Sequence, residues 1–283
     1  MSGGGRARRA VAGLVLAAGG GTRMGAPKAL LRDAEGTAWV ARACAALRDG
    51  GCDEVTVVLG AAADEARALV PPWARVATAD DWAEGMGASL RAGLDALSGG
   101  GRGDVDRLGS DRLGSDRTRT DQGGSGQGGA GQGGSGQDGA GQGGSGQGGA
   151  EDTGAGRTGE QLSAVVVTLV DLPGVGAPVV ARVLADVVRG RGEREVRAAL
   201  ARACYAGRAG HPVLLGRDHW AGVVEGARGD AGARAYLRAR DVTLVECADI
   251  GAGDDVDTPA DRLRLALGEI VTWSSAPNPV DNP

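Results

Sequence analysis

The stretch from Leu14 to Leu31 constrains the fold of this chain more than any other. Residues 11–17 are apolar and rich in valine and leucine, which is typical of a strand buried on both faces of a parallel sheet. Three glycines at 19–21 end this strand, and Arg23 and Lys28 follow them closely. Glycines allow backbone N–H groups to approach phosphate oxygens, and cations neutralise the phosphate charge. The stretch therefore predicts a strand-to-loop site for a polyphosphate.

Two known glycine-loop patterns fail on this stretch. A dinucleotide fingerprint requires a third glycine where Met24 stands. Gly20 and Gly25 have the spacing of a P-loop, but Ala26 replaces the required lysine. Both mismatches argue against ordinary nicotinamide binding and against P-loop hydrolysis. A plain tight turn carrying surface cations is the alternative, but it does not explain why two cations share one short loop.

Composition and charge limit which partners the protein is expected to bind and in which compartment it is expected to work. The chain has 283 residues and a formal net charge of −5, and its basic residues are scattered, so no nucleic-acid surface is predicted. Its four cysteines form no C-x-x-C pair, which favours buried reduced thiols over a zinc site and predicts a cytoplasmic protein. Three arginines at 6–9 precede the apolar run, so an export signal is an alternative, but its cleavage would destroy the glycine loop. No segment is long enough to span a membrane.

Strand-like and helix-like segments alternate along the chain, which predicts an α/β fold with a single doubly wound, mostly parallel sheet. The predicted strands are 11–17, 54–59, 74–77, 164–170, 201–206, 212–215 and 242–247. The predicted helices are 37–47, 62–70, 86–97, 179–189, one within 228–240, and 259–267.

The composition changes abruptly in the middle of the chain. Residues 107–116 repeat RLGSD twice, and residues 123–150 repeat a glycine-rich unit with a period of ten. Such units have no apolar face to stack, and they cannot bury enough surface to offset their conformational entropy. We predict one domain at 10–268 with a disordered insertion at 99–161, and a frayed tail at 269–283.

Acidic residues mark two further motifs. Asp171 follows the strand 164–170 directly, where a carboxylate faces the ligand crevice of an α/β sheet and suits Mg²⁺ held against phosphates. A turn aspartate is the alternative. Asp255, Asp257 and Asp261 lie near the end of the chain, around Thr258, which resembles a helix N-cap. Acidic decoration of a helix start is the alternative for this run.

Three more segments carry candidate site residues. Trp82, Gly85, Met86 and Ser89 form a W-x-x-G-M-x-x-S segment, for which a core tryptophan before a helix is the alternative. His211 lies in a G-H-P element, and a packed or surface histidine is equally plausible there.

The third segment is G-D-x-G-A-R, which contains Asp230 and Arg234. These two residues form either a local ion pair or a place where Arg234 meets a phosphate.

Together these motifs resemble the MobA/MocA-like nucleotidyltransferases. The opening match is L-A-A-G-x-G-x-R-M-G-x-x-K-x-L-L over residues 16–31, and five motifs follow the family order across nearly all of 11–268 outside the insertion. The resemblance implies a Rossmann-like nucleotidyltransferase fold. It also implies transfer of a nucleotide from a nucleoside triphosphate to a phosphorylated acceptor, with release of pyrophosphate.

The resemblance also implies roles for individual residues. Arg23, Lys28 and Asp171 would be catalytic, and Asp171, Asp257 and, second to it, Asp255 would hold Mg²⁺. His211 and Arg234 would bind the acceptor. The implied nucleotide-binding residues are Leu16, Ala17, Ala18, Gly19, Gly21, Arg23, Lys28, Gly85, Met86 and Ser89. Relatives often have asparagine where this chain has Ala79, which weakens the expectation of a base contact there.

The double alanine of L-A-A-G resembles the cytidylyl-transferring branch, which implies CTP and a molybdopterin acceptor, with a molybdoenzyme or its chaperone as a possible partner. Three alternatives stay open. The first is an NAD(P)H-dependent reductase of the nicotine blue oxidoreductase type on the same fold. The others are a non-catalytic binding or regulatory module and a transferase that uses a sugar phosphate or another alcohol phosphate as acceptor.

Overall fold

One mixed sheet organises the molecule. The computed structural model describes residues 10–99, 106–107 and 162–266, and within these residues the sheet has eight strands in the order β4-β3-β2-β1-β5-β7-β6-β8. The strands are β1 (Ala10–Leu16), β2 (Glu54–Leu59), β3 (Arg75–Thr78), β4 (Asp106–Arg107), β5 (Leu162–Leu169), β6 (Leu200–Tyr205), β7 (Arg208–Gly216) and β8 (Thr243–Glu246). The helices are α1 (Trp39–Asp49), α2 (Ala63–Arg67), α3 (Met86–Leu97), α4 (Ala177–Val188), α5 (Glu193–Arg197), α6 (Trp220–Gly226), α7 (Arg234–Arg238) and α8 (Pro259–Ala266).

The centre of the sheet is parallel. β1 lies between β2 and β5, with Leu14 opposite Thr56 on one side and Val167 on the other. Every residue of β1 is buried, because helices cover both faces of the sheet. Four of the seven strand pairings in the described chain are parallel, so the predicted α/β fold with one doubly wound, mostly parallel sheet is confirmed.

The antiparallel pairings lie on either side of this centre. β4 pairs with β3 over two residues, and β7 runs antiparallel to both β5 and β6. β6 and β7 form a hairpin, because the chain turns back at Ala206 and Gly207, both of which have positive φ. This hairpin brings the residues before Val213 to the same edge of the sheet as the carboxyl end of β5.

Two apolar layers enclose the sheet. The first face carries α1, α2, α4 and α5, and the second face carries α3, α6 and α7. Gly93 allows α3 to pack closely on the second face, since an added Cβ there would lie 2.7 Å from a methyl group of Leu14. This close packing holds α3 against β1 and β2.

Sequence patterns located most of these elements. The predicted bounds of β2 and α3 agree with the structure, whereas β7 is longer than predicted and the short helices α5 and α6 were missed. The predicted insertion at 99–161 lies outside the described residues except for Gly99 and β4, and the predicted tail lies wholly outside them. In the described part of the chain, no helix has the length and apolar character needed to cross a membrane.

Candidate active site

A cavity of about 510 Å³ opens at the carboxyl ends of β1 and β5. This is where ligands bind in open α/β sheets. Its wall is formed by the glycine loop, the turn at Trp82, the start of α3, the end of β5 and three aspartates. The lining residues are Leu16, Ala17, Ala18, Gly19, Gly20, Gly21, Thr22, Arg23, Met24, Lys28, Trp82, Ala83, Gly85, Met86, Ser89, Leu169, Val170, Asp171, Asp230 and Asp257. All ten residues expected to bind the nucleotide are therefore on one surface.

The glycine loop is a tight turn that requires glycine at position 21. The N–H groups of Met24 and Gly25 both donate to the carbonyl of Gly21 over 2.9 Å. Gly21 has a φ of 61°, and a Cβ there would lie only 1.8 Å from the carbonyl oxygen of Ala26. A larger residue at this position would break the turn, so the loop geometry follows directly from the sequence.

Lys28 connects the loop to the carboxylates. It begins a short 3-10 turn, and its side chain is only 14% exposed. Its Nζ lies 2.5 Å from Oδ2 of Asp171 and also donates to Oδ1 of Asp257. Burial by itself lowers the pKa of this ammonium, but the charges and hydrogen bonds of Asp171 and Asp257 outweigh burial and raise the pKa above its ordinary value. Lys28 is therefore a cation held between two carboxylates.

Asp171 is a buried carboxylate with one oxygen available to a ligand. Burial raises its pKa, and the adjacent Lys28 opposes that effect. Its Oδ2 binds Lys28, but its Oδ1 is buried with no hydrogen-bond partner among the described residues. Its backbone carbonyl accepts a hydrogen bond from the N–H of Val256 over 3.1 Å, which places Asp257 beside it. A buried carboxylate oxygen without a partner is costly unless a ligand completes it.

The acidic run near residue 257 separates into different roles. Asp257 lines the cavity, and its Oδ2 lies 3.4 Å from Nη1 of Arg23, which is 78% exposed. Asp255 is exposed and does not line the cavity, although its charge acts on Asp171. Asp261 accepts bonds from the N–H and hydroxyl of Thr258, so it caps the start of α8.

Arg91 links two segments beside the part of the cavity wall that carries Trp82. Its Nη2 donates to Asp81 over 2.8 Å and to Glu84 over 2.7 Å, and its Nη1 donates to the carbonyl of Ala227 over 2.9 Å. These contacts join the turn that carries Trp82 to the end of α6. Trp82 in turn packs against Gly20 of the glycine loop, so Arg91 supports this wall of the cavity from outside the lining.

Gly85 determines how closely α3 approaches Asp230. An added Cβ at Gly85 would lie 2.5 Å from Oδ1 of Asp230. Ala79, where relatives often carry asparagine, is buried and does not line the cavity.

The two residues expected to bind the acceptor do not line this cavity, but they lie near each other. Burial, the charge of Arg202 and the charge of Arg234 lower the pKa of His211 to about 4. The alternative ion pair between Asp230 and Arg234 is absent from the ion pairs of the described residues. Arg202 was not expected from the sequence, although it is the one charged residue in the strand LARACY, and that anomaly was the available signal.

Comparison with known proteins identifies the family of this chain. Residues 13–244 match the MobA-like NTP transferase domain, which is most of the chain. The chain belongs to the MobA-like NTP transferase family. The resemblance drawn from the motifs is therefore confirmed, and family membership supports a nucleotidyltransferase activity.

Individual relatives of this MobA-like NTP transferase are named for two different activities. Over 267 residues it is 31% identical to nicotine blue oxidoreductase from Paenarthrobacter nicotinovorans, covering 90% of this chain and 96% of that protein. A nucleotidyl transferase from Methanothermobacter superposes with a TM-score of 0.55 at 17% identity, covering 92% of this chain and 97% of the other. Rv0371c from Mycobacterium tuberculosis, in complex with manganese, superposes with a TM-score of 0.54 at 20% identity, covering 92% and 100%. Both superpositions support the fold.

The donor set of this MobA-like NTP transferase fits a hard divalent cation that also binds phosphate. Asp171, Asp230 and Asp257 line the cavity, and the buried Oδ1 of Asp171 lacks a partner in the described chain. No group of three or more His, Cys, Asp or Glu suited to a metal occurs among the described residues. Mg²⁺ typically uses one or two carboxylates together with substrate phosphates, whereas all-protein cages are the exception for this ion.

Proposed function

We propose that the protein transfers a nucleotide, CMP from CTP, to a phosphorylated acceptor of the molybdopterin type and releases pyrophosphate. This proposal rests on one observation: Lys28 bridges Asp171 and Asp257 within the cavity that the glycine loop lines. A loop suited to polyphosphate and a pair of carboxylates suited to a divalent cation thus face one space. The double alanine at 17–18 favours CTP through the family resemblance.

The glycine loop is proposed to bind the triphosphate. Backbone N–H groups in the 17–21 segment would donate to phosphate oxygens, and the exposed Arg23, which lines the cavity and contacts Asp257, would add its charge. Lys28 would exchange its carboxylate partners for phosphate oxygens when the nucleotide enters. A phosphate acceptor is already ionised, so no general base is needed. Catalysis by these residues is positioning and charge neutralisation.

Asp171 and Asp257 are proposed to hold Mg²⁺, with Asp255 outside the direct donor set because it is exposed. When bound, the cation supplies charge neutralisation and orientation of phosphate oxygens. The unpartnered Oδ1 of Asp171 supports this assignment. Rv0371c, which has the same fold, forms a complex with manganese, and this supports the proposal of a divalent cation.

Reduction by NAD(P)H is the second candidate, and the 31% identity to nicotine blue oxidoreductase favours it. The glycine loop has Met24 at the third position of the dinucleotide fingerprint. A reductase would therefore bind its dinucleotide by contacts other than that fingerprint. A direct activity comparison separates the two candidates.

The test is a pyrophosphate-release screen of the full-length protein. CTP, GTP, ATP and UTP are each supplied with Mg²⁺ and with molybdopterin or sugar phosphates, and NADPH oxidation is followed in parallel. We expect release with CTP and molybdopterin that depends on both substrates. Release with sugar phosphates alone would overturn the acceptor, and NADPH oxidation without pyrophosphate release would overturn the transferase proposal.

A further inference from the structure

Arg202 is a charged side chain inside the apolar strand β6. Its neighbours Ala201 and Ala203 belong to the core of the first face, and Leu200 belongs to the core of the second face. Because side chains alternate along a strand, Arg202 points to the second face, where α3, α6 and α7 pack. Its Nε donates to the carbonyl of Gly210 over 3.0 Å, which holds the guanidinium against the β6–β7 hairpin.

The register of the hairpin brings this arginine toward the cavity. Val213 pairs with Val167 in the antiparallel pairing of β7 and β5. Arg202 pairs with Val213 within the hairpin, so it lies in the same row of the sheet as Val167, which precedes Leu169 by two residues. Leu169 lines the cavity. The hydroxyl of Tyr205 donates to the carbonyl of His211 over 2.7 Å and fixes this end of the strand.

α7 supplies the third member of the group. Arg234 is the first residue of α7, and Asp230, shortly before it, lines the cavity. The charge of Arg234 acts on both Arg202 and His211, and with burial it lowers both pKa values. The imidazole is therefore neutral at pH 7, and the group carries two guanidinium charges.

Neither of these two charges forms an ion pair with a carboxylate in the described chain. Arg91, Arg182 and Arg197 each form an ion pair with a carboxylate, but Arg202 and Arg234 form none among the described residues. Arg202 is partly buried, whereas Arg234 is exposed. A partly buried charge without a counter-charge is unfavourable, and a second positive charge near it adds repulsion. An anion that both could bind would remove that cost, and guanidinium groups match phosphate geometry closely.

We propose that Arg202 completes an anion site with His211 and Arg234 that binds a phosphate monoester of the acceptor. This inference rests on the proposed function, because it names the group by which that enzyme selects its acceptor. Arg202 is the new residue in it, and it favours phosphorylated acceptors over neutral alcohols. His211 supplies a neutral ring nitrogen beside the two cations.

The test uses the two histidines of the full-length protein as NMR probes. The chain contains only His211 and His219, so two imidazole signals are expected, and a His219→Gln variant assigns them. Inorganic phosphate is titrated without nucleotide, so the outcome does not depend on transferase activity. We expect a saturable shift of the His211 signal. Arg202→Gln should weaken the apparent affinity about tenfold, as for loss of one charge-assisted hydrogen bond.

Matched variants make the result decisive. Arg238→Gln, at the other end of α7 from Arg234, is the control and should leave the phosphate affinity unchanged. Arg202→Lys should give an affinity between those of wild type and Arg202→Gln. It replaces Arg202→Gln if that variant does not fold. Absence of a saturable shift, or equal affinity in wild type and both Arg202 variants, would overturn the site. In an active enzyme, Arg202→Gln should raise KM for the acceptor and leave KM for the nucleotide unchanged. Failure of the pyrophosphate screen alone would refute the transferase proposal and leave the phosphate titration valid.

Discussion

Two groups of cations near the same edge of the sheet differ in how their charge is balanced. At the glycine loop, Lys28 lies between Asp171 and Asp257, and Arg23 also reaches Asp257. At the β6–β7 hairpin, Arg202 and Arg234 have no carboxylate partner among the described residues. The first group suits a divalent cation and a polyphosphate that bind together. The cation would replace the Lys28 ammonium beside the carboxylates, and the polyphosphate would replace the carboxylates beside Lys28. The second group suits an anion alone.

The largest expected effect tests the carboxylate side of this comparison. Asp171→Asn keeps the size of the side chain but removes the charge that Lys28 and a divalent cation would share. Transfer should fall by about 1,000-fold or more, as for other groups that stabilise charge in a transition state. Asp254→Asn, an exposed neighbour of the acidic run, is the control and should retain wild-type activity in the pyrophosphate assay. Full activity of Asp171→Asn would remove the metal assignment.

The next effect concerns the stability contributed by Lys28. Lys28→Met leaves the buried Asp171 without its partner, so the free energy of unfolding without metal should fall by about 3 kcal/mol. Mn²⁺ should restore part of that loss, since it substitutes for the ammonium charge. Urea unfolding with and without Mn²⁺ measures both effects. Equal destabilisation at every Mn²⁺ concentration would contradict cation binding at this pair.

A smaller effect separates the two cation groups by kinetics. Arg23→Gln should raise KM for the nucleotide about fivefold to tenfold, because one charged contact to phosphate is lost. Arg234→Gln should instead raise KM for the acceptor by about the same factor. Steady-state kinetics with each substrate varied in turn gives both constants. If both variants change the same KM, the cations belong to one site and the comparison fails.

The last prediction is a pH dependence of stability. Folding lowers the pKa of His211 to about 4, so as the pH falls below the ordinary histidine value the unfolded chain takes up a proton first. Its contribution is fully present above that value and is lost as the pH falls toward 4, with a slope of up to about 1.4 kcal/mol per pH unit. His211→Gln should flatten this slope in denaturant unfolding between pH 7 and 5. An identical slope in both proteins would place His211 in a more solvated environment.

The sequence predicted the fold well where local patterns decide structure. The apolar runs of β1, β2 and β5 allow little except buried parallel strands, and the glycine turn follows from the steric requirement at Gly21. The short helix α5 was missed because five residues give too little periodicity to detect. Local pattern is therefore most informative for long, uniform segments.

The candidate site was predictable only in part. The motifs placed Lys28 and Asp171 on one surface, and the structure brings them into contact. Arg202 carries no motif, and its relation to Arg234 depends on how β6 and α7 pack, which the sequence does not show. The roles of all these residues stay predictions until the experiments above are done.

The hydrogen bond between Val256 and Asp171 has a consequence for domain boundaries. It fastens a segment beyond residue 244, where the family match ends, to the floor of the cavity. A fragment trimmed to the matched region would keep the glycine loop but would lack Asp257, and Lys28 would have only Asp171 beside it. The C-terminal segment is therefore an integral part of the cavity wall, and expression of the trimmed domain alone would give a misleading view of the candidate site.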